Sequence, residues 1–190
     1  MGRVSGSVLA ALWVGWFLYW LLEARNAKPT LRRETALERA FHVGPLIVCA
    51  VLLASPSLLP RSLDRGFPPD DLLLRWVGLA LTGCGIAFAV WARRHLGGNW
   101  SSVVALKAGH ALIRSGPYRL VRHPIYAGLL LAILGTVVVI GEWRGLIGLG
   151  FALFAIVNRV RAEDALMEQT FGEEYREYRR RTPALPPFLK

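Results

Sequence analysis

Between Val4 and Val160 the chain alternates five apolar runs with polar connections, and that alternation limits the fold more than any other feature. The runs cover about residues 4–22, 41–59, 72–92, 125–140 and 145–160. Runs of this length and apolarity fit a bilayer crossing, for which about 17–25 residues are needed in a helix. Lipid offers no partner to an open backbone, so a single crossing segment has to close its own hydrogen bonds as a helix. The last two runs are short for this purpose. Only Gly141, Glu142, Trp143 and Arg144 separate them, which predicts a tight antiparallel hairpin. The first run has only Arg3 before it and no small-residue cleavage pattern after it, so it reads as a retained span rather than a signal peptide.

Composition supports this reading. Of the 190 residues, 54% are hydrophobic and 19% charged, against about a quarter charged in a soluble domain. The net charge of +10 does not form a continuous basic stripe of the kind that reads nucleic acid. It sits between the apolar runs, where it sets topology and meets anionic lipid. Five Lys and Arg fall in 23–40, six in 93–123 and seven from Arg159 onward, leaving five for the opposite side. Loops rich in Lys and Arg stay cytoplasmic. The expected topology therefore puts the N-terminus outside and the C-terminus inside.

Connections and spans carry local signals. Asp70 and Asp71 are placed to cap the third helix. Glycines at 78, 83, 85, 128, 135, 145, 148 and 150 let neighbouring helices approach closely. Gly128 is read differently, as room for a ligand beside the polar cluster described next. Cys49 and Cys84 both lie inside apolar runs and read as small buried side chains, with no cysteine or histidine spacing that would hold a metal. After the fifth run, 162–170 continues the helix into water, Phe171-Gly172 breaks it, and Glu173–Arg181 forms a second charged helix. Tyr175 and Tyr178 are candidates to anchor that helix at the interface. Pro183, Pro186 and Pro187 end helical structure.

The chemistry concentrates in HALIRSGPYRLVRHPIYAG, residues 110–128. Ser115-Gly116-Pro117-Tyr118 is a turn signal. Arg122 and His123 then stand immediately before a helix that opens on proline, a favoured start. Unpaired amides at such a start suit an anionic or carboxylate group. Taken singly, these residues read as snorkelling arginines and a capping histidine; packed into so few positions they read as a binding site. Arg159 and Glu163 lie four apart at the exit of the fifth run, hence on one helix face. The hairpin brings that exit beside the start of the fourth run. The residues alone thus point to a small-molecule site facing the cytoplasm.

SGPYRLVRHPIYAG, the acidic pair Glu163-Asp164 and FGEEYREY at 171–178 closely resemble the isoprenylcysteine carboxyl methyltransferase family, within the wider group of integral-membrane phospholipid methyltransferases. The resemblance covers about residues 100–190. It implies an all-α integral membrane protein with five transmembrane helices, a cytoplasmic cofactor-binding loop and a C-terminal helical tail. It also implies S-adenosylmethionine as cofactor. By the same resemblance the cofactor is held by His110, Leu112, Ile113, Tyr118, His123, Pro124, Ile125 and Tyr126, with Glu163 at its amino-acid end. Arg159 contacts the substrate carboxylate, and Arg122 joins Arg159 and Glu163 in the catalytic set. The acidic pair departs from the Glu-Glu common in the family, which weakens any role for Asp164. Val103 stands where a longer relative has a polar cofactor contact.

The acceptor stays open at this point. Proteins of this fold methylate prenylated cysteine carboxylates, phospholipid amines or small thiols. The arginine favours a lipophilic carboxylate, a prenylated protein or a small isoprenoid acid, entering from the lipid. An amine would need Glu163 as base. A non-catalytic membrane module is the reading of a different class. No metal or nucleic acid is called for.

Overall fold

The computed structural model describes residues 3–25, 35–55, 66, 71–97 and 112–185. Six α-helices make up the described chain: α1 Arg3–Ala24, α2 Ala36–Ala54, α3 Leu72–Leu96, α4 Pro124–Ile140, α5 Trp143–Phe171 and α6 Glu173–Arg181. A 3-10 turn, Gly116–Arg119, precedes α4.

Three helices are long and apolar enough to cross a membrane: Val4–Ala24, Leu72–Leu96 and Trp143–Phe171. Two shorter apolar helices, Ala40–Ala54 and Pro124–Ile140, lie among them. The bundle carries its apolar side chains outward as well as inward. Phe17, Leu21, Ile47, Trp76, Trp91, Leu146 and Phe154 are all exposed. A water-soluble protein rarely shows such a continuous apolar exterior. The chain is an integral membrane protein.

The boundaries follow local chemistry. Asp71 caps α3 as anticipated, its carboxylate accepting from the Leu73 amide at 2.8 Å. Proline opens α4. Gly141, at φ 63° and ψ 30°, ends α4 in the left-handed region and leads within two residues into α5. Gly172, at φ 54°, separates α5 from α6 where the Phe171-Gly172 break was expected. The helix continues past the fifth apolar run as expected: α5 extends unbroken over 29 residues, with the charged stretch carrying it on to Phe171. The second helix begins and ends earlier than its apolar run, at Ala36 and Ala54.

The hairpin forms, but α4 lies chiefly along α3, and α5 along α2. Glycines dictate the first of these pairings. A Cβ on Gly78 would stand 2.7 Å from the Gly135 carbonyl oxygen, and one on Gly85 2.5 Å from that of Gly128. The pairs run in opposite senses along the chain, so α3 and α4 are antiparallel with their backbones in contact. Gly128 therefore makes room for α3 rather than for a ligand, contrary to the sequence expectation. Thr82 seals the same seam by donating to Gly78 O at 2.9 Å and Ala132 O at 3.3 Å. Trp13 Nε1 on α1 donates to Thr136 Oγ1 on α4 at 3.0 Å. Cys49 is buried with Ile133, Val137 and Ala152, whereas Cys84 is exposed on the outer side of α3.

At the end where α4 begins and α5 runs on, the polar groups gather. At the far end, Arg144 is 4% exposed and donates to Leu52 O and, at 3.0 Å, to Leu53 O. It thereby satisfies carbonyls that the last turn of α2 leaves without an intrahelical partner. Its Nε meets Glu142 at 2.5 Å.

Candidate functional site

The site is assembled from the turn before α4, the first turn of α4, the polar part of α5, and the segment after α6. Ser115-Gly116-Pro117-Tyr118 folds as the turn its sequence announces. Gly116 has φ 58°, and a Cβ there would stand 2.7 Å from the His95 ring. His95, at the end of α3, holds this turn through Ser115 Oγ at 2.9 Å and stacks on Tyr118 with ring centres 6.4 Å apart.

Two linked groups of side chains follow. In the first, Tyr126 donates its hydroxyl proton to Glu163 Oε1 at 2.5 Å. Arg159 Nε lies 2.6 Å from the Tyr126 oxygen and 3.2 Å from Glu163 Oε1, with its guanidinium 5.7 Å from the Tyr126 ring centre. The i, i+4 spacing of Arg159 and Glu163 thus has the consequence expected of it. In the second group, Asp164 is the acceptor. Its Oδ2 takes Arg122 at 3.0 Å, and its Oδ1 takes His123 Nε2 at 2.8 Å and the Tyr175 hydroxyl. His123 joins the two groups, since its Nδ1 lies 3.5 Å from Glu163 Oε2. Its ring stacks on Tyr126 at 5.8 Å.

The electrostatics follow from this placement. Burial disfavours the His123 imidazolium, but hydrogen bonds to the Asp164 and Glu163 carboxylates outweigh it and raise the pKa above 6.5. Burial raises the phenols of Tyr118 and Tyr175, in the latter case aided by the bond to Asp164. It lifts Tyr178 to about 12. These tyrosines are neutral donors at physiological pH.

The segment after α6 closes the arrangement. Arg122 N donates to Pro183 O at 2.8 Å and His123 N to Ala184 O at 3.2 Å. Ala184 and Leu185 are buried against Ile156 and Val160. Arg122 also donates to Thr182 O and, at 3.1 Å, to Arg179 O. The amides of Arg122 and His123 are consequently not available to an anion; the tail carbonyls have taken them. Tyr178 donates to Tyr118 O at 2.5 Å. Tyr175 and Tyr178 are buried pins between α6 and the site rather than anchors in the interface.

Of the residues singled out from sequence, the fold brings together Arg122, His123, Tyr126, Arg159 and Glu163. Pro124 is buried beneath them at the head of α4, and Ile125 is half-buried beside it. Tyr118 joins through Tyr178. Leu112 and Ile113 sit half-buried in the irregular segment leading to Ser115. His110 and Val103 lie outside the described residues. Sequence reasoning underrated Asp164, which has three partners, two at the head of α4 and one on α6. The signal was present: two adjacent acids on a helix point about 100° apart, so one can face α4 while the other faces the tail.

A helical bundle with an apolar exterior is an integral membrane protein, and the arginines, histidine and two acids gathered at one end are its candidate site. Residues 76–169 match the isoprenylcysteine carboxyl methyltransferase (ICMT) family. The chain belongs to that family. It is 31% identical over 145 residues to the protein-S-isoprenylcysteine O-methyltransferase of Homo sapiens, covering 72% of this chain and 50% of the human protein. The protein of the same name in Schizosaccharomyces pombe is 31% identical over 96 residues, 49% of this chain and 41% of the relative. An uncharacterized Bacillus subtilis protein, YpbQ, is 26% identical over 153 residues and is covered over 86% of its length. The chain thus spans half or less of the length of the human and fission-yeast relatives. The matched region stops before α6, so Tyr175, Tyr178 and the closing segment lie beyond it.

Proposed function

We propose that the chain is an S-adenosylmethionine-dependent methyltransferase acting on a lipophilic carboxylate of the isoprenylcysteine type. The observation that carries this reading is the junction of Tyr126, Arg159 and Glu163 where α4 and α5 meet. Support comes also from the family and from relatives named protein-S-isoprenylcysteine O-methyltransferase.

The donor set suits this cofactor. Glu163 keeps 24% of its side chain exposed while Tyr126 and Arg159 hold it in place. That leaves an oriented carboxylate for an α-ammonium group. His123, Pro124, Ile125, Tyr126 and Tyr118 would line the rest, with Leu112 and Ile113 before the turn; His110, outside the described residues, is added by the family resemblance alone. When bound, S-adenosylmethionine supplies an electrophilic methyl group. An ionised carboxylate needs no base, so this chain's residues have only to position it and keep water away. Arg159 holds it through charge-assisted hydrogen bonds. Arg122, tied to Asp164 and the tail, keeps the first turn of α4 in register. An amine acceptor would require Glu163 to take a proton. Its Oε1 is already occupied by Tyr126 and Arg159, which favours the carboxylate.

In this reading all five apolar helices cross the bilayer, the site and C-terminal tail face the cytoplasm, and the N-terminus lies outside. The excess of Lys and Arg on the site side supports that orientation. The acceptor reaches Arg159 from the lipid.

The test is transfer of a labelled methyl group from S-adenosylmethionine into membrane extract and into a prenylcysteine analogue by the purified chain. A base-labile product, an ester, is expected. A base-stable product would reassign the acceptor to an amine or thiol. No transfer together with no cofactor binding, in several detergents and in lipid, would leave a non-catalytic membrane module.

A further inference from the structure

Asp164 has the bonding of a group that does more than close a surface ion pair. Its side chain is 11% exposed, and both oxygens are used. Oδ2 accepts from Arg122, on the approach to α4; Oδ1 accepts from His123 at the α4 cap and from Tyr175 on α6. A pair that merely fastened the tail would need Arg122 or Tyr175, and the tail is already fastened by the Pro183 and Ala184 carbonyls and by Tyr178. The bond to His123 adds nothing to that attachment. It acts in the other direction, toward Glu163.

The proton arrangement explains how. With Nε2–H committed to Asp164 at 2.8 Å, the only His123 atom facing Glu163 is Nδ1, 3.5 Å from Oε2. When His123 carries two protons, Nδ1–H faces that oxygen and helps hold it. When it carries one, Nδ1 presents a lone pair to an anionic oxygen, and the two repel. A negative charge at Asp164 favours the doubly protonated ring. The other groups around the ring are Tyr126, stacked on it from α4, Arg159 and Glu163 on α5, Tyr175 on α6, and Arg122 before α4. Among these only Glu163 and Asp164 contact a ring nitrogen.

We infer that Asp164 is a positioning residue for the cofactor-facing carboxylate, acting on Glu163 through His123. The inference rests on the proposed methyltransferase reading for its functional consequence. Its structural part, control of the His123 ring by Asp164, stands apart from it. Asp164→Asn is the informative change, because the amide oxygen can still accept from Nε2–H while the charge is gone.

The experiment uses the full chain purified in detergent and measures binding of radiolabelled S-adenosylmethionine between about pH 5.5 and pH 8.5, spanning the His range. For Asp164→Asn, affinity within about twofold of wild type is expected at the acid end, with a loss that widens to about tenfold where the variant's ring has given up its second proton and the wild-type ring has not. Asp164→Glu should restore the flatter profile. A loss by the same factor at every pH would mark a purely structural role and overturn the inference, as would an unchanged profile. The ring of His123, one of four histidines, is followed in parallel by NMR and assigned with His123→Gln. It should titrate lower in Asp164→Asn; an unmoved titration overturns the inference whether or not the chain binds cofactor. Absence of binding by wild type with a shifted ring titration would instead count against the methyltransferase reading alone. If Asp164→Asn does not fold, Tyr175→Phe serves. Removing one donor from Asp164 concentrates its charge on His123, so the ring should titrate higher, and a fall would refute the proposal.

Discussion

Both ends of the bundle bury arginine, and they use it differently. At the far end Arg144 donates to Leu52 O and Leu53 O in the last turn of α2 and to Glu142 between α4 and α5. Two of those partners are backbone carbonyls, whose charge does not vary, and no histidine is among the three. At the site end Arg159 shares its contacts with a tyrosine hydroxyl and a partly exposed carboxylate, and a histidine stands within reach of that carboxylate. One arrangement is complete as it stands; the other is oriented but leaves Glu163 open on one side. Burial alone, 4% exposed against 8%, does not separate them. The chemistry of the partners does.

That contrast is testable. The largest effect should come from the site end: Arg159→Ala and Glu163→Ala are each expected to lower kcat/KM about 100-fold or more, the scale on which misplaced reacting groups are felt. Thermal unfolding in detergent should move little. Full activity in either variant would remove that residue from the site. At the far end the pattern should invert. Arg144→Ala leaves α2 carbonyls buried without a partner and should cost about 2–4 kcal/mol of stability, while the folded fraction keeps near-normal kcat/KM. A loss of turnover in fully folded Arg144→Ala protein would erase the distinction between the ends.

A smaller loss, about 1–3 kcal/mol, is expected for Gly128→Val, because its Cβ would stand 2.6 Å from Gly85 O across the α3–α4 seam. Proteolytic sensitivity of α3 and α4 would report it. If Gly128→Val instead weakened cofactor binding with stability intact, the glycine would face the site after all. The smallest effect concerns pH. The folded pKa of His123 lies above its ordinary 6.5. Its protonated form therefore contributes stability fully below about pH 6.5, and the contribution is lost as pH rises through the folded value. The melting difference between wild type and His123→Gln should shrink from acid to alkaline; a difference that grows would contradict the assignment.

The sequence displays the site unevenly, for physical reasons. Helix periodicity puts Arg159 and Glu163 on one face, and Pro124 marks where α4 starts. Both signals are local, and both hold. The α3–α4 pairing was not legible as such, because glycines at 78, 85, 128 and 135 advertise a close approach without naming the partner. The roles of Asp164, Tyr175 and Tyr178 depend on where the tail returns, which no short-range pattern encodes. A tyrosine on a charged helix looks the same whether it meets lipid headgroups or a buried carboxylate. The family resemblance could name His110, yet the chain around it gives no local signal that fixes its place.

The return of the tail has a consequence for how such a chain comes into being. Arg122 and the Thr182 carbonyl that holds it are 60 positions apart, and His123 waits for Ala184. During synthesis at about 5–20 residues per second, the first half of the site leaves the ribosome several seconds before its closing segment exists. A nascent chain whose helices have already entered the bilayer is still without its Arg122 clamp. The Arg122 clamp therefore forms only after residues 182–184 have been made, later than the helix start that it fastens.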